Sequence, residues 1–124
     1  LAKKKTVGAT HVLIDIPVGP TAKVRTVADA ERLGELFAQV GRAIELRLDV
    51  LVTDAHGPIG WGIGPRLEAL DVLAVLRREA HAPADLREKA LYLAGRSLES
   101  AGVAPPAHGY RTAREALDSG AAEK

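Results

Sequence analysis

A histidine close to a carboxylate is the first feature of this sequence that could move a proton. His56 stands two positions after Asp54, and an imidazole titrates near neutral pH. The pair suggests a general base that a carboxylate orients. The other three histidines, His11, His81 and His108, have no spacing that would gather them on a metal ion.

The glycine-rich segment 54–64, with the sequence DAHGPIGWGIG, is the second candidate. It lies between a predicted strand and a helix that Pro65 opens, so the helix N-terminus could receive a phosphate. Its glycines do not have the GxGxxG spacing, and no acidic residue stands alone about 20 residues further on, after a second strand, as dinucleotide binding requires. We therefore expect a loop that supports a cation or contacts another domain.

Charged residues at two other places need an explanation. Asp15 interrupts the apolar run 12–16, so its carboxylate is either held by backbone amides or placed near a functional edge of the sheet. The lysine run 3–5 lies near the end of a predicted helix that Gly8 stops, and such a run is most often a solvated helix end.

Residues 11–53 predict the unit that positions these side chains, a parallel βαβ unit. The first strand enters a turn at Gly19-Pro20, and the second strand covers Leu48 to Thr53. Between them a helix begins at Thr26, the predicted N-cap, with Asp29 completing an approximate capping box, and it runs to about residue 44. Its apolar residues recur at the spacing of one helical stripe: Leu33, Leu36, Phe37, Val40 and Ile44.

The segment 65–120 is predicted to be helical. A helix from Pro65 places an apolar stripe inward, formed by Leu67, Leu70, Leu73 and Leu76, and a second helix covers about 85–100. A linker at 103–109 precedes a short helix, 112–119, that Gly120 stops. The fold class is thus α/β, a parallel βαβ unit with flanking helices. Because two parallel strands are too few for a stable sheet, we expect it to be part of a larger mixed-sheet α/β domain.

Composition excludes several classes of protein. The 124 residues predict one domain, and 17 basic against 16 acidic residues leave a net charge of +1, so neither nucleic acid nor a membrane surface is an expected partner. No cysteine is present, and no apolar run approaches the roughly 20 residues that span a bilayer. We expect a cytoplasmic protein. The absence of methionine and the start within a helix predict a segment of a longer polypeptide.

Several separated blocks, in order, resemble the thymidine and pyrimidine-nucleoside phosphorylase family, in the branch that includes the AMP phosphorylases. They are LAKK at 1–4, DIPVGPTAKVRT at 15–26, TDAHGPIGWGIGPRLEALDVLAVL at 53–76 and ADLREKALYLAG at 84–95. The tail at 116–124 resembles the end of the family's central α/β domain. The resemblance covers essentially the whole chain and implies a fragment, residues 1–124, of that domain.

The resemblance implies a pentosyltransferase. Phosphate attacks the sugar C1′ of a pyrimidine nucleoside as the glycosidic bond breaks, which gives the base and a sugar 1-phosphate without a covalent enzyme intermediate. Its partners would be the nucleoside, inorganic phosphate and a second subunit of a homodimer. The resemblance implies that the reaction requires no cofactor. The resemblance assigns no catalytic residue to this chain. His56 falls at a position where the family motif requires no histidine.

One substrate contact carries over from the family. Its pyrimidine-binding lysine, in the motif Ser-Ile-Leu-Ala-Lys-Lys, falls on Lys3. The serine of that motif, a base-binding arginine and the phosphate-binding segment would all lie upstream of residue 1. The resemblance therefore implies that the chain by itself is inactive.

The resemblance also implies a site for a monovalent cation, potassium in the full-length enzyme. Two backbone carbonyls and one carboxylate of this site fall on Ile59, Gly62 and Asp71, where Asp71 stands in place of the family's usual glutamate.

Two alternatives stay open at this point. The chain could derive from an AMP phosphorylase, whose substrate carries a 5′-phosphate that needs additional cationic or backbone donors. It could also be an α/β interaction module without catalytic activity that associates through exposed strand edges.

Overall fold

The computed structural model describes residues 1–123, which form two parallel strands and five α-helices. In chain order these are α1 (Ala2–Thr6), β1 (His11–Val18), α2 (Val27–Ala43), β2 (Arg47–Asp54), α3 (Pro65–Leu76), α4 (Ala84–Ser100) and α5 (Gly109–Asp118), followed by a 3₁₀ turn, Ala121–Glu123. The α/β class is confirmed. None of these helices combines the length and apolar character needed to cross a membrane.

The two strands pair in parallel through their whole length, from His11 opposite Arg47 to Val18 opposite Asp54. The predicted βαβ unit is therefore confirmed. Gly41 allows α2 to approach the sheet, because a Cβ at this position would lie 3.2 Å from Leu48. Since side chains alternate along a strand, the even-numbered residues of both strands face α2.

The start of α2 is confirmed in detail. The Thr26 hydroxyl accepts a hydrogen bond from the Asp29 backbone N–H at 3.1 Å and donates one to the Asp29 carboxylate at 2.7 Å. The predicted stripe of this helix is only partly right, because Leu36 and Val40 are exposed. The helix buries Ala30 and Gly41.

The chain divides into two compact units, the first from Leu1 to Pro58 and the second from Ile59 onward. The length of the chain predicts one domain instead. The boundary falls inside the glycine-rich segment, and the second unit has a helical core of its own, formed by Val75, Leu91, Ala113 and Leu117.

The prediction for α3 is wrong for three of its four inward leucines. Leu67, Leu70 and Leu73 are 51%, 53% and 39% exposed, whereas the helix buries Ala74 and Val75 instead. The last turn of α3 reaches the apolar core through Val75 and Leu76. Helix α5 also begins three residues earlier than predicted, because Gly109 packs directly on α4.

Candidate functional site

Lys3 lies in α1, a helix of five residues. Its side chain is exposed, and its backbone carbonyl accepts a hydrogen bond from the Val7 N–H at 3.3 Å. Within residues 1–123, the ammonium group has no carboxylate partner. A charged group held at a helix end and not neutralised locally is available to a ligand, and a base-binding role for Lys3 stays a prediction.

Two carboxylates hold the glycine-rich loop of the second unit. The Asp71 Oδ2 atom accepts hydrogen bonds from the Trp61 N–H at 2.7 Å and the Gly62 N–H at 2.8 Å. The Asp85 carboxylate accepts a hydrogen bond from the preceding amide, Gly60, at 3.1 Å. Three consecutive amides thus point to ionised groups on α3 and α4, and charge-assisted hydrogen bonds of this kind are among the stronger ones in proteins.

This geometry brings two of the three predicted cation ligands together. Gly62 and Asp71 are hydrogen-bonded neighbours, but the link runs through the Gly62 N–H and not through its carbonyl. Ile59 lies at the start of the same loop, 42% exposed. The three predicted residues supply at most two carbonyl oxygens and the second carboxylate oxygen, fewer than a hard cation takes. They fit a potassium site only as part of a larger ligand set.

We expect Asp71→Ala to loosen the loop. Removing the carboxylate leaves the Trp61 and Gly62 amides without their acceptor, and each charge-assisted hydrogen bond contributes about 1.5–3 kcal/mol. Hydrogen exchange followed by NMR should show these two amides exchanging at least about tenfold faster. Asp71→Asn is the matched control, because its amide oxygen can still accept. Unchanged exchange in Asp71→Ala would contradict the proposed anchoring.

In the first unit, Asp15 is satisfied from the neighbouring strand. The Thr53 hydroxyl donates a hydrogen bond to the Asp15 carboxylate at 2.6 Å, on the face of the sheet opposite α2. The prediction that Asp15 is a satisfied polar group is thus supported, but the donor seen here is the Thr53 hydroxyl, whereas backbone amides were predicted.

The predicted pair at the end of β2 does form. The Nδ1 atom of His56 is hydrogen-bonded to the Asp54 carboxylate, and this bond lowers the pKa of Asp54 below its usual value. Asp54 therefore stays ionised at neutral pH and orients the imidazole, whose Nε2 atom remains available. Both side chains are largely exposed.

Two of the remaining histidines have other neighbours. His11 Nε2 is 3.2 Å from the Arg47 guanidinium, and the His81 carbonyl accepts a hydrogen bond from the Trp61 indole. Across residues 1–123, no three histidine or acidic side chains are arranged to hold a metal ion.

Sequence reasoning missed Asp85, Thr53 and Lys23 as neighbours of the candidate sites. The first two act over 25 and 38 positions of the chain, a separation at which no local pattern links donor and acceptor. Lys23 lies in the turn after β1 and lines a cavity there. The Gly-Pro turn at 19–20 was the only signal in the sequence that the chain doubles back at this point.

Known proteins match the chain over almost its full length. It is 55% identical over 122 residues to "Putative thymidine phosphorylase 1" of Acidovorax sp. (strain JS42) and to the protein of the same name from Cupriavidus necator. It is also 55% identical over all 124 residues to "Putative thymidine phosphorylase" of Bradyrhizobium sp. (strain ORS 278).

The chain spans about 24% of the length of each of these relatives. No protein-family model matches it. The names of the relatives specify thymidine and do not favour an AMP phosphorylase. The resemblance to the thymidine and pyrimidine-nucleoside phosphorylases that was read from the sequence is thus confirmed, for a chain homologous to about one quarter of these proteins.

Proposed function

We propose that this chain is part of a nucleoside phosphorylase that acts on thymidine. The observation that carries the proposal is 55% identity over 98% of the chain to a protein named for that activity. Because the chain spans 24% of that relative, the activity is proposed for a polypeptide that contains these residues together with a phosphate-binding segment.

The proposed reaction transfers the deoxyribosyl group from the base to phosphate. A phosphate oxygen forms a bond to C1′, the bond from C1′ to the pyrimidine nitrogen breaks, and the electron pair leaves with the base. A positive charge beside the departing base stabilises this transition state more than the ground state. Lys3 is the residue that we propose for this role, since its ammonium is exposed and has no local counter-charge in the described residues.

We further propose that potassium binds at the glycine-rich loop in the complete enzyme, with Ile59, Gly62 and Asp71 as part of its ligand set. The carboxylate of Asp71 already fixes the loop, so a cation would contact its other oxygen. In such an enzyme, KCl should raise the melting temperature above its value in NaCl, and Asp71→Ala should abolish the difference.

The complete protein is proposed to be a cytoplasmic homodimer. The dimer is implied by the family resemblance, and the cytoplasmic location is the expectation drawn from the composition of the chain. Sedimentation of the complete protein tests the dimer, and its partition between cell fractions tests the location.

A hybrid protein tests the function directly. In this hybrid, the chain replaces the matching 122 residues of the Acidovorax relative, so that every other segment is supplied by that relative. We expect the hybrid to release thymine from thymidine only when phosphate is present, and the 124-residue chain by itself to release none. Failure of the intact relative to release thymine would overturn the choice of thymidine as substrate.

A further inference from the structure

A cavity of about 590 Å³ opens in the first unit at the carboxyl ends of β1 and β2. Small-molecule sites commonly have volumes of about 300–1,000 Å³. In α/β sheets they also lie preferentially beyond the carboxyl ends of parallel strands. The cavity therefore has both the size and the position of a ligand site. Lys3 is not part of its lining.

The floor of the cavity is apolar. Ile14 and Ile16 contribute from β1, and Leu33 and Phe37 contribute from α2. Asp15 also borders the cavity, but strand alternation and its hydrogen bond from Thr53 place its carboxylate on the opposite face of the sheet. A ligand on this floor would contact hydrocarbon and one aromatic ring.

The rim of the cavity carries a positive charge. Lys23 lines it from the turn after β1, and His56 lines it from the loop after β2. His56 is hydrogen-bonded to the Asp54 carboxylate, so this pair adds no net positive charge to the rim. Lys23 has no carboxylate partner within residues 1–123, which leaves one uncompensated cation above an apolar floor.

Close backbone contacts fix the two loops that form the walls. The Ala55 N–H donates to the Val18 carbonyl at 2.8 Å, and the Gly19 N–H donates to the Val24 carbonyl at 3.3 Å. A Cβ on Gly19 would overlap the Ala55 carbonyl, so only glycine permits this approach. The turn that carries Lys23 is thus tied to the loop that carries His56, and the cavity is preformed.

From this arrangement we propose that the cavity is a binding site for a small organic anion. The apolar body of the ligand packs on Leu33 and Phe37, and its anionic group is bound by Lys23. The inference stands apart from the proposed phosphorolysis, because it needs only the cavity and its charges.

NMR titrations of the 124-residue chain distinguish the contribution of the apolar contact from that of the contact to the anionic group. The probes are phenyl phosphate, phenol, which lacks the anion, and inorganic phosphate, which lacks the apolar body. We expect phenyl phosphate to shift the resonances of cavity residues and to bind at least about tenfold tighter than either of the other probes.

Substitutions of Lys23 test whether this residue binds the anionic group of the ligand. Lys23→Gln should weaken phenyl phosphate binding about tenfold and leave phenol unchanged, whereas Lys23→Arg should retain binding. Lys5→Gln is the matched control, an exposed lysine outside the cavity. Equal binding of phenol and phenyl phosphate, shifts outside the cavity, or an unaltered affinity of Lys23→Gln would each overturn the proposal.

Discussion

Replacing Lys3 with glutamine in the hybrid protein is expected to lower kcat/KM for thymidine about 100-fold. Glutamine keeps most of the length of the side chain but removes the charge that we propose to face the departing base. Loss of a single group that stabilises developing negative charge typically costs a factor of about 100 to 1,000 in rate. Since the interaction is strongest in the transition state, kcat should carry most of the loss. Steady-state kinetics of thymine release measure both constants.

Lys5→Gln in the same hybrid is the control for this experiment. Lys5 belongs to the same short helix and is exposed like Lys3, but the family resemblance gives it no substrate contact. Its rate should stay within about twofold of the parent hybrid. If both variants lost activity equally, the effect would come from the helix or its overall charge, and the specific role of Lys3 would be wrong.

A large loss of stability is expected from Gly95→Ala, in the middle of α4. A Cβ at this position would lie 2.5 Å from the Tyr110 backbone nitrogen and 2.8 Å from the Gly109 carbonyl carbon. These are backbone atoms of α5, which cannot rotate away as a flexible side chain can. Overpacking typically costs 1–3 kcal/mol, and we expect about 3 kcal/mol here because α5 must separate from α4. Urea unfolding measures the loss.

Gly34→Ala provides the matched control, because it makes the same change inside a helix of the first unit. Its Cβ would meet only the Val50 side chain, at 3.3 Å, and alanine is favoured over glycine in a helix by about 1 kcal/mol. We expect this variant to be neutral or slightly stabilised. A Gly95→Ala protein as stable as Gly34→Ala would show that the two helices are not in close contact at this point.

Features that depend on neighbouring residues could be predicted from the sequence. The hydrogen bonds between Thr26 and Asp29 span three positions, and the Gly120 stop acts on the turn just before it. The parallel pairing of β1 and β2 could also be predicted from the sequence. A strand, a helix and a second strand of these lengths form a right-handed crossover between two parallel strands.

Features that depend on distant residues could not be predicted. Asp85 binds the amide of Gly60 across 25 positions, and no spacing in the sequence links the two. The leucine stripe of α3 has the right period for a buried face, but a period does not show whether another element covers that face. The same limit applies to the cavity above Phe37, whose walls come from segments that meet only in the fold.

Phosphorus NMR of the hybrid protein with thymidine and inorganic phosphate tests the central proposal most directly. Phosphorolysis transfers the sugar to phosphate, so the inorganic phosphate signal should fall as a 2-deoxyribose 1-phosphate signal rises in equal amount, with one thymine released for each. Thymine release with no sugar phosphate would indicate hydrolysis. That result, or no reaction in a folded hybrid whose parent relative is active, would contradict the account.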